Sequence, residues 1–292
     1  WRMVAPRALP TDPAAVAAGR AALARAVADR LLPTYFAQAQ AIPLPLQEVC
    51  LRGSSAKVDA LIFERYLPAR HALPGFPPGA PFEGALSQSY ETGTFHDVLH
   101  YDVASLYPSL LMHMGKAPAG DELNVFIPLL GELRTLRLEF KKLAKDTPEG
   151  GLRDQYNARQ QSFKILINSF YGYLAFPLGH FNDYGAANQV TAKGRELIRA
   201  VIAFLQGRGA RLVEADTDGL YVIAPPGVES PEDEERLLAE VSATLPAGIQ
   251  LEMDGRYRAM FSYKMKNYAL LDHAGRLSIT GSGFRSRGLE LF

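Results

Sequence analysis

The stretch that most constrains this chain is residues 211–224, RLVEADTDGLYVIA. It reads as a β-hairpin in which two strand-forming runs flank a tight turn containing Asp-Gly. Alternation puts Asp216 and Asp218 on the same side of that turn, where two carboxylates repel unless a cation lies between them. Neither flanking strand offers a strong basic partner apart from Arg211. A hard divalent cation would resolve the conflict, because Mg²⁺ is bound by one or two carboxylates together with substrate phosphates. A lone aspartate in such a place is ordinarily a turn or cap residue. The pair carries the chemical reading.

Helix and strand patterns surround the hairpin. Asp12 caps a first helix, Pro13 suits its first turn, and the Ala/Leu/Arg-rich run continues to Leu32, where Pro33 is expected to stop it. Residues 33–100 are rich in Pro and Gly and read as short strand-like pieces, with 74–84 (PGFPPGAPFEG) an irregular loop. DVLHYDV, 97–103, alternates like a strand and runs through a turn into a helix start at SLYPSLLM. Two helices follow. Leu133, Leu136, Phe140 and Leu143 share one face of the first, and Arg134, Arg137, Lys141 and Lys145 another. Pro148 and Gly150-Gly151 break it. A second helix spans about 152–170, with Arg153, Asn157, Gln160, Lys164 and Asn168 in one polar stripe. A third, about 186–206, ends at Gly207. The acidic stretch 229–240 reads as a surface helix, and 257–271 and 276–284 as further strands.

The 292 residues, 48% of them hydrophobic and 21% charged, exclude a disordered chain and allow a sizeable core. No apolar run reaches the roughly 20 residues that span a bilayer, and no signal-peptide pattern opens the chain, so a soluble, cytoplasmic protein is expected, without a membrane partner. The single Cys50 excludes a disulfide framework or a Cys-based zinc cluster and fits a reducing compartment. Arg outnumbers Lys 22 to 9, pointing weakly to a GC-rich bacterial source; the opening Trp1 points to a trimmed fragment. The 31 basic and 31 acidic side chains argue, taken naively, against a nucleic-acid partner. That balance averages over opposed segments. Residues 131–170 hold eight basic and five acidic residues, 256–292 seven and two, and 229–240 one and six. Neutrality of the whole chain therefore does not exclude a nucleic-acid partner.

The strings DVASLYPS (102–109), KILINSFYG (164–172), DTDG (216–219) and KMKNY (264–268) stand in this order. Together they resemble the polymerase core of family B DNA polymerases. The first matches that family's first palm motif, D-x-x-S-L-Y-P-S. The second matches its fingers motif, K-x-x-x-N-S-x-Y-G. The third nearly matches its second palm motif, D-T-D-S, and the fourth is similar to its Lys-Lys-Arg-Tyr primer-binding motif. Order and spacing agree across roughly 90–290, and 40–90 looks like the lead-in to the palm.

The resemblance implies an α+β fold: a right-hand palm with an antiparallel sheet and flanking helices, plus an α-helical hairpin as fingers. The divisions expected are 1–95 (lead-in), 96–124 (palm), 125–185 (fingers) and 186–292 (palm). It further implies nucleotidyl transfer of dNTPs onto the primer 3′-hydroxyl of a primer-template DNA, with two Mg²⁺ ions or Mn²⁺ in their place. Asp102 and Asp218 would be direct metal ligands with the Val103 carbonyl, and Asp216 more peripheral. Lys164 would contact the triphosphate and protonate the leaving group. Arg137 and Lys141 are the paired basic contacts, with Arg134 competing for the place of Arg137. Ser105 and Leu106 fall with the nucleotide, and Tyr107 resembles the steric gate against a 2′-hydroxyl. Asn168, Ser169, Tyr171 and Gly172 would line the nascent base pair. Lys264, Lys266 and Tyr268 would hold the primer strand, with Thr217 and Gly219 beside it at the turn.

Several positions depart from the pattern. Gly219 stands where serine is usual, which removes a hydroxyl near the primer terminus. Phe82-Glu83-Gly84-Ala85 only loosely represents the template-contacting Tyr-x-Gly-Gly loop, and Asn267 replaces an arginine. No Asp-x-Glu proofreading motif precedes Asp102, and the chain stops where a thumb would begin; a chain without the 3′→5′ exonuclease is expected, with a separate subunit or missing segment supplying thumb and proofreading.

Two rival readings exist. One is a catalytically weak or inactive DNA-binding remnant. The other is a haloacid-dehalogenase-type phosphatase with Asp216 as nucleophile and Asp218 as acid/base. Only 74 residues follow Asp218, too few for the parallel sheet the second requires, and it leaves 102–109 and 164–172 unexplained.

Overall fold

The computed structural model describes residues 12–81 and 83–283. They form two compact units, one from the chain up to Leu73 with Pro128–Phe170, the other from Pro74–Ile127 with the chain from Tyr171 on. Phe82 of the loosely matched template loop, and residue 284 at the end of the last expected strand, lie outside the described residues.

The first unit is helical: α1 (Pro13–Ala41), α2 (Leu46–Leu51), α3 (Ser54–Tyr66) and nearly all of α5 (Phe126–Asp146) and α6 (Gly151–Leu174). Asp12 caps α1 as expected, accepting from the Ala14 and Ala15 amides at 3.1 and 3.3 Å. Pro33 does not end it. Proline removes the hydrogen bond to the Asp29 carbonyl, a cost of about 3 kcal/mol in a helix interior. The turns beyond it are anchored instead by tertiary contacts. Ser162 Oγ donates to the Thr34 carbonyl at 2.9 Å, Lys57 Nζ to Gln38 Oε1 at 2.7 Å, and Arg159 to Gln40 Oε1 at 3.2 Å.

The expectation of strand-like pieces throughout 33–100 is corrected at α2 and α3. Val58, Leu61, Ile62 and Tyr66 recur at helical spacing and are all at most 3% exposed, and burying each of these large side chains contributes about 1.5–3 kcal/mol. The apolar face of α5 is also turned from the expected one. Leu130, Leu133 and Ala144 are buried, with Arg137 and Phe140 half-buried on the same line, whereas Leu136 and Leu143 are exposed. Phe140 stacks with Phe163 of α6 (centroids 5.8 Å apart), which sets that rotation.

The second unit is built on a seven-stranded sheet: β1 (Ser87–Ser89), β2 (Gly93–Val103), β3 (Arg211–Asp216), β4 (Gly219–Ile223), β5 (Leu251–Lys264), β6 (Asn267–Leu271) and β7 (Leu277–Thr280). Their order is β1-β3-β4-β2-β5-β6-β7, and every pairing is antiparallel. The parallel sheet of a haloacid-dehalogenase fold is absent among the described residues. The expected single strand 257–271 is two, because Lys266 adopts a left-handed φ of 58° and reverses the chain. Helices α4 (Leu106–Met114), α7 (Tyr184–Gly207) and α8 (Pro231–Ser242) complete the unit. α7 buries Val190, Gly194, Leu197, Ile198, Val201 and Leu205, a stripe at helical spacing. The architecture is α+β. No helix among the described residues is long and apolar enough to cross a membrane.

β2 is the central strand, paired along both edges, and Val98, Leu99, Tyr101 and Val103 are fully buried; the adjacent Val98 and Leu99 point to opposite faces, so both faces are covered there. Alternation on this strand places His100 and Asp102 on one face, opposite Tyr221 and Gly219 of β4.

Candidate active site

Asp102 is the second-last residue of β2. Beyond it Ser105 takes a left-handed conformation (φ 50°) that swings the chain into α4, so the strand ends just past the carboxylate. The β3–β4 turn is two residues long, with Asp216 paired to Gly219 and Thr217 at φ 67°. The turn residues are therefore Thr217 and Asp218, with Gly219 already in β4. The Thr217 amide donates to the Leu86 carbonyl at 2.9 Å and the Val103 amide to the Asp218 carbonyl at 3.0 Å. That second bond ties the end of β2 directly to the acidic turn.

One cleft is lined by His100, Asp102, Asp216, Asp218, Gly219, Tyr221 and Tyr268. Burial holds the Asp218 carboxyl above the usual carboxylate range, and the charge of Asp216 adds to the shift; its backbone hydrogen bond and Lys266 oppose it. The two flanking strands supply Asp216 with no basic partner. Arg211 is paired with Glu91 instead. Asp216 is paired with Lys266, whose Nζ also donates to Thr217 Oγ1 at 3.1 Å. Tyr268 Oη donates to Asp216 Oδ2 at 3.4 Å and receives a bond from Tyr221 Oη at 3.1 Å. Burial raises the pKa of both phenols.

Below this layer lies Glu214, fully buried, which accepts from the Lys266 amide at 2.6 Å and from Ser262 Oγ at 3.2 Å. It thus fixes the β5–β6 turn that carries Lys266. Burial raises its carboxyl, partly offset by those two donors. His100 stacks on Tyr221 with 4.3 Å between centroids. Its pKa is lowered, first by burial, against the opposing charge of Asp254.

Of the residues singled out in the sequence, the cleft unites Asp102, Asp216, Asp218, Gly219 and Tyr268, with Val103, Thr217 and Lys266 bonded to them. Tyr107 and Tyr171 stack on each other (centroids 4.3 Å, 22°), and burial raises both hydroxyl pKa values. Leu106 is buried at the start of α4, Lys264 is exposed at the end of β5, and Gly172 is exposed on α6. In the loop before β1, Arg195 holds the Glu83 and Gly84 carbonyls at 3.1 and 2.6 Å. Arg137, Lys141, Lys164 and Asn168 belong to the helical unit, where Lys141, Lys164 and Asn168 are exposed and Phe163, Leu166, Ile167 and Phe170 are buried on α6. His100, Glu214, Tyr221 and Asp254 were not anticipated. Strand parity was an available signal for two of them: His100 lies two residues before Asp102, and Tyr221 two after Gly219.

The model of DNA polymerase family B matches residues 122–291. A DNA polymerase of Archaeoglobus fulgidus is 30% identical over 279 residues, covering 87% of this chain and 35% of the relative. DNA polymerase 1 of Pyrococcus abyssi is 29% identical over 287 residues, covering 87% and 36%. The chain thus spans about a third of the length of these relatives. Among solved structures, the family B DNA polymerase of the hyperthermophilic archaeon Pyrobaculum calidifontis shares the fold, with a TM-score of 0.69 at 24% identity, over 92% of this chain and 39% of that one. These relatives are archaeal and lend no support to the bacterial source read from the Arg-to-Lys ratio. With a family match over more than half of its length, on a sheet that brings the two palm motifs into one cleft, the chain belongs to DNA polymerase family B.

Proposed function

We propose that this chain is the palm-and-fingers part of a template-directed DNA polymerase that transfers deoxynucleotides from dNTPs to a primer 3′-hydroxyl, in a cytoplasmic, nucleoid-associated setting. The observation that carries the reading is the convergence of Asp102 and Asp218 in one cleft, joined through the Val103–Asp218 hydrogen bond.

Among the described residues no group of three or more His, Cys, Asp or Glu side chains is assembled to hold a metal. The carboxylates of Asp102 and Asp218 in the cleft fit a hard cation that completes its shell with substrate phosphates, as Mg²⁺ does, and the Val103 carbonyl would be a further donor. The raised pKa of Asp218, due first to burial and then to the Asp216 charge, fits as well, since a bound cation offsets both. Bound by Asp102, Asp218 and Val103, with Asp216 at the edge, a pair of Mg²⁺ or Mn²⁺ ions would neutralise phosphate charge and acidify the 3′-hydroxyl.

The chain's own residues do the positioning. Lys164, Arg137 and Lys141, on a helical hairpin, supply cationic groups for the triphosphate, with Arg adding bidentate geometry; Lys164 gives a proton to the leaving pyrophosphate. The Tyr107 ring packs under the sugar and excludes a 2′-hydroxyl. Ser105 and Leu106 support that sugar, and Asn168, Tyr171 and Gly172 contact the new base pair. Lys264, Lys266 and Tyr268 hold the primer backbone, contacts that position DNA without reading sequence.

Primer extension with Mg²⁺, comparing the wild-type chain with Asp218→Ala, tests the assignment. Incorporation by the wild type alone is expected; equal incorporation by both would sink it.

A further inference from the structure

His100 lines the cleft beside Asp102, Asp216 and Asp218. Three observations define its ring. It lies flat on Tyr221, with 2° between the planes, as the pairing of His100 with Tyr221 favours. Its Nδ1 faces Asp254, whose Oδ2 is 3.2 Å away. Asp254 owes this placement to a β-bulge. β5 pairs Gly255 with His100 and Met253 with Tyr101, so Asp254 is the extra residue between them, and a bulge re-aims the side chain it carries. A carboxylate beside Nδ1 favours the proton there and leaves Nε2 with its lone pair.

The third observation concerns Gly219. A Cβ on Gly219 would lie 2.9 Å from His100 Nε2 and 3.7 Å from Asp102 Oδ1. Real Cβ atoms essentially never approach so closely as the first distance, so the ring and a side chain at 219 compete for one space. Nε2 therefore stands where a residue 219 side chain would otherwise project. The acceptors around it differ in kind. A hard cation complements the carboxylates but takes a neutral nitrogen poorly. A hydroxyl group complements the nitrogen.

We propose that His100 is a primer-binding residue: Nε2 accepts a hydrogen bond from the hydroxyl of the primer's terminal sugar, in the space that Gly219 leaves open. The proposal rests on the polymerase reading of the same cleft.

The test is equilibrium binding of the full chain to a labelled primer-template, in Mg²⁺ without dNTP, ending in either a 3′-hydroxyl or a 3′-deoxy sugar. The wild type should favour the hydroxyl end about fivefold, the value of one neutral hydrogen bond. His100→Ala should abolish that preference, and His100→Gln, whose amide oxygen can accept, should retain part of it. Asp254→Asn changes a side chain 65% exposed, so it leaves the fold intact, and should reduce the preference. A full preference in His100→Ala overturns the proposal, as does a wild type that binds both ends equally. A wild type that binds no primer-template overturns the polymerase reading and this inference with it. Thermal melts test the shared space. Gly219→Ser should lower Tm in the presence of His100 and cost less in His100→Ala; strictly additive effects would remove the steric half of the proposal.

Discussion

The ammonium of Lys266 rests on the carboxylate of Asp216 and ties the β5–β6 turn to the acidic turn between β3 and β4. The buried Glu214 holds the Lys266 amide from below, so both ends of the lysine are positioned by acids of one strand. The charge conflict visible in Asp216-Thr217-Asp218 is thereby half resolved inside the protein. Asp102 and Asp218 line the other side of the same cleft.

Lys266→Ala should therefore have effects of two different sizes. The lysine side chain is 47% exposed, so the pair contributes at most about 1 kcal/mol, and denaturant melts should show a loss no greater than that. The acidic turn loses its internal cation, so Mn²⁺ should bind more tightly to the variant than to the wild type. Weaker Mn²⁺ binding in a titration would contradict the arrangement.

Asp218 gives a pH prediction. Its folded pKa is raised by burial and then by Asp216. A carboxyl raised on folding contributes stability that is fully present below its unfolded pKa and lost as pH rises through the folded value. In metal-free protein, Asp218→Asn should raise Tm at pH 7, and the advantage should vanish below about pH 4, where the wild-type carboxyl is protonated. Mg²⁺ should raise Tm of the wild type more than of the variant. A variant that melts lower than the wild type at pH 7 would refute the sign.

For Tyr107, replacement by Ala removes the ring that stacks on Tyr171. An aromatic pair of this kind is worth about 0.5–1.5 kcal/mol beyond its buried area, so a modest fall in stability is expected. The informative readout is the ratio of kcat/KM for dNTP over rNTP, which should fall. An unchanged ratio would remove the gate role and leave Tyr107 a packing residue.

A prediction independent of catalysis concerns α8. Ser230 Oγ accepts from the Asp233 amide at 3.2 Å and the Asp233 carboxylate accepts from the Ser230 amide at 3.1 Å, a reciprocal capping box. Ser230→Ala should cost about 1 kcal/mol in urea melts at pH 7. The Asp233 carboxyl is lowered to about 2, first by the Ser230 hydroxyl and then by backbone amides. A lowered carboxyl contributes stability above its unfolded pKa and loses it as pH falls, so the difference between variant and wild type should shrink between about pH 4 and about pH 2. A constant difference over that window would disprove the coupling.

Much of this molecule was legible in the chain. The hairpin, the β2 strand, the helix start after Ser105, the paired helices around the Gly150-Gly151 break and the acidic helix α8 all follow from periodicity and turn residues. Pro33 misled because local preference forbids what Ser162, Lys57 and Arg159 impose from elsewhere in the chain. α3 was missed because Pro and Gly on either side outweighed a short but regular apolar repeat. Strands 257–264 and 267–271 merged because nothing in Met265-Lys266 signals a left-handed turn; the buried acceptor on Glu214 produces it.

By itself the sequence determined the acidic hairpin, most of the longer helices and the four motifs that point to the family, since helix period, strand alternation and turn chemistry act over a few residues. Only the tertiary structure decided what those residues touch. Lys266 meets Asp216 across 50 residues of chain. His100 takes the space at Gly219, and Asp254 reaches that imidazole through a bulge. Each of these depends on strand order and register, which packing of the whole sheet sets and no local preference encodes.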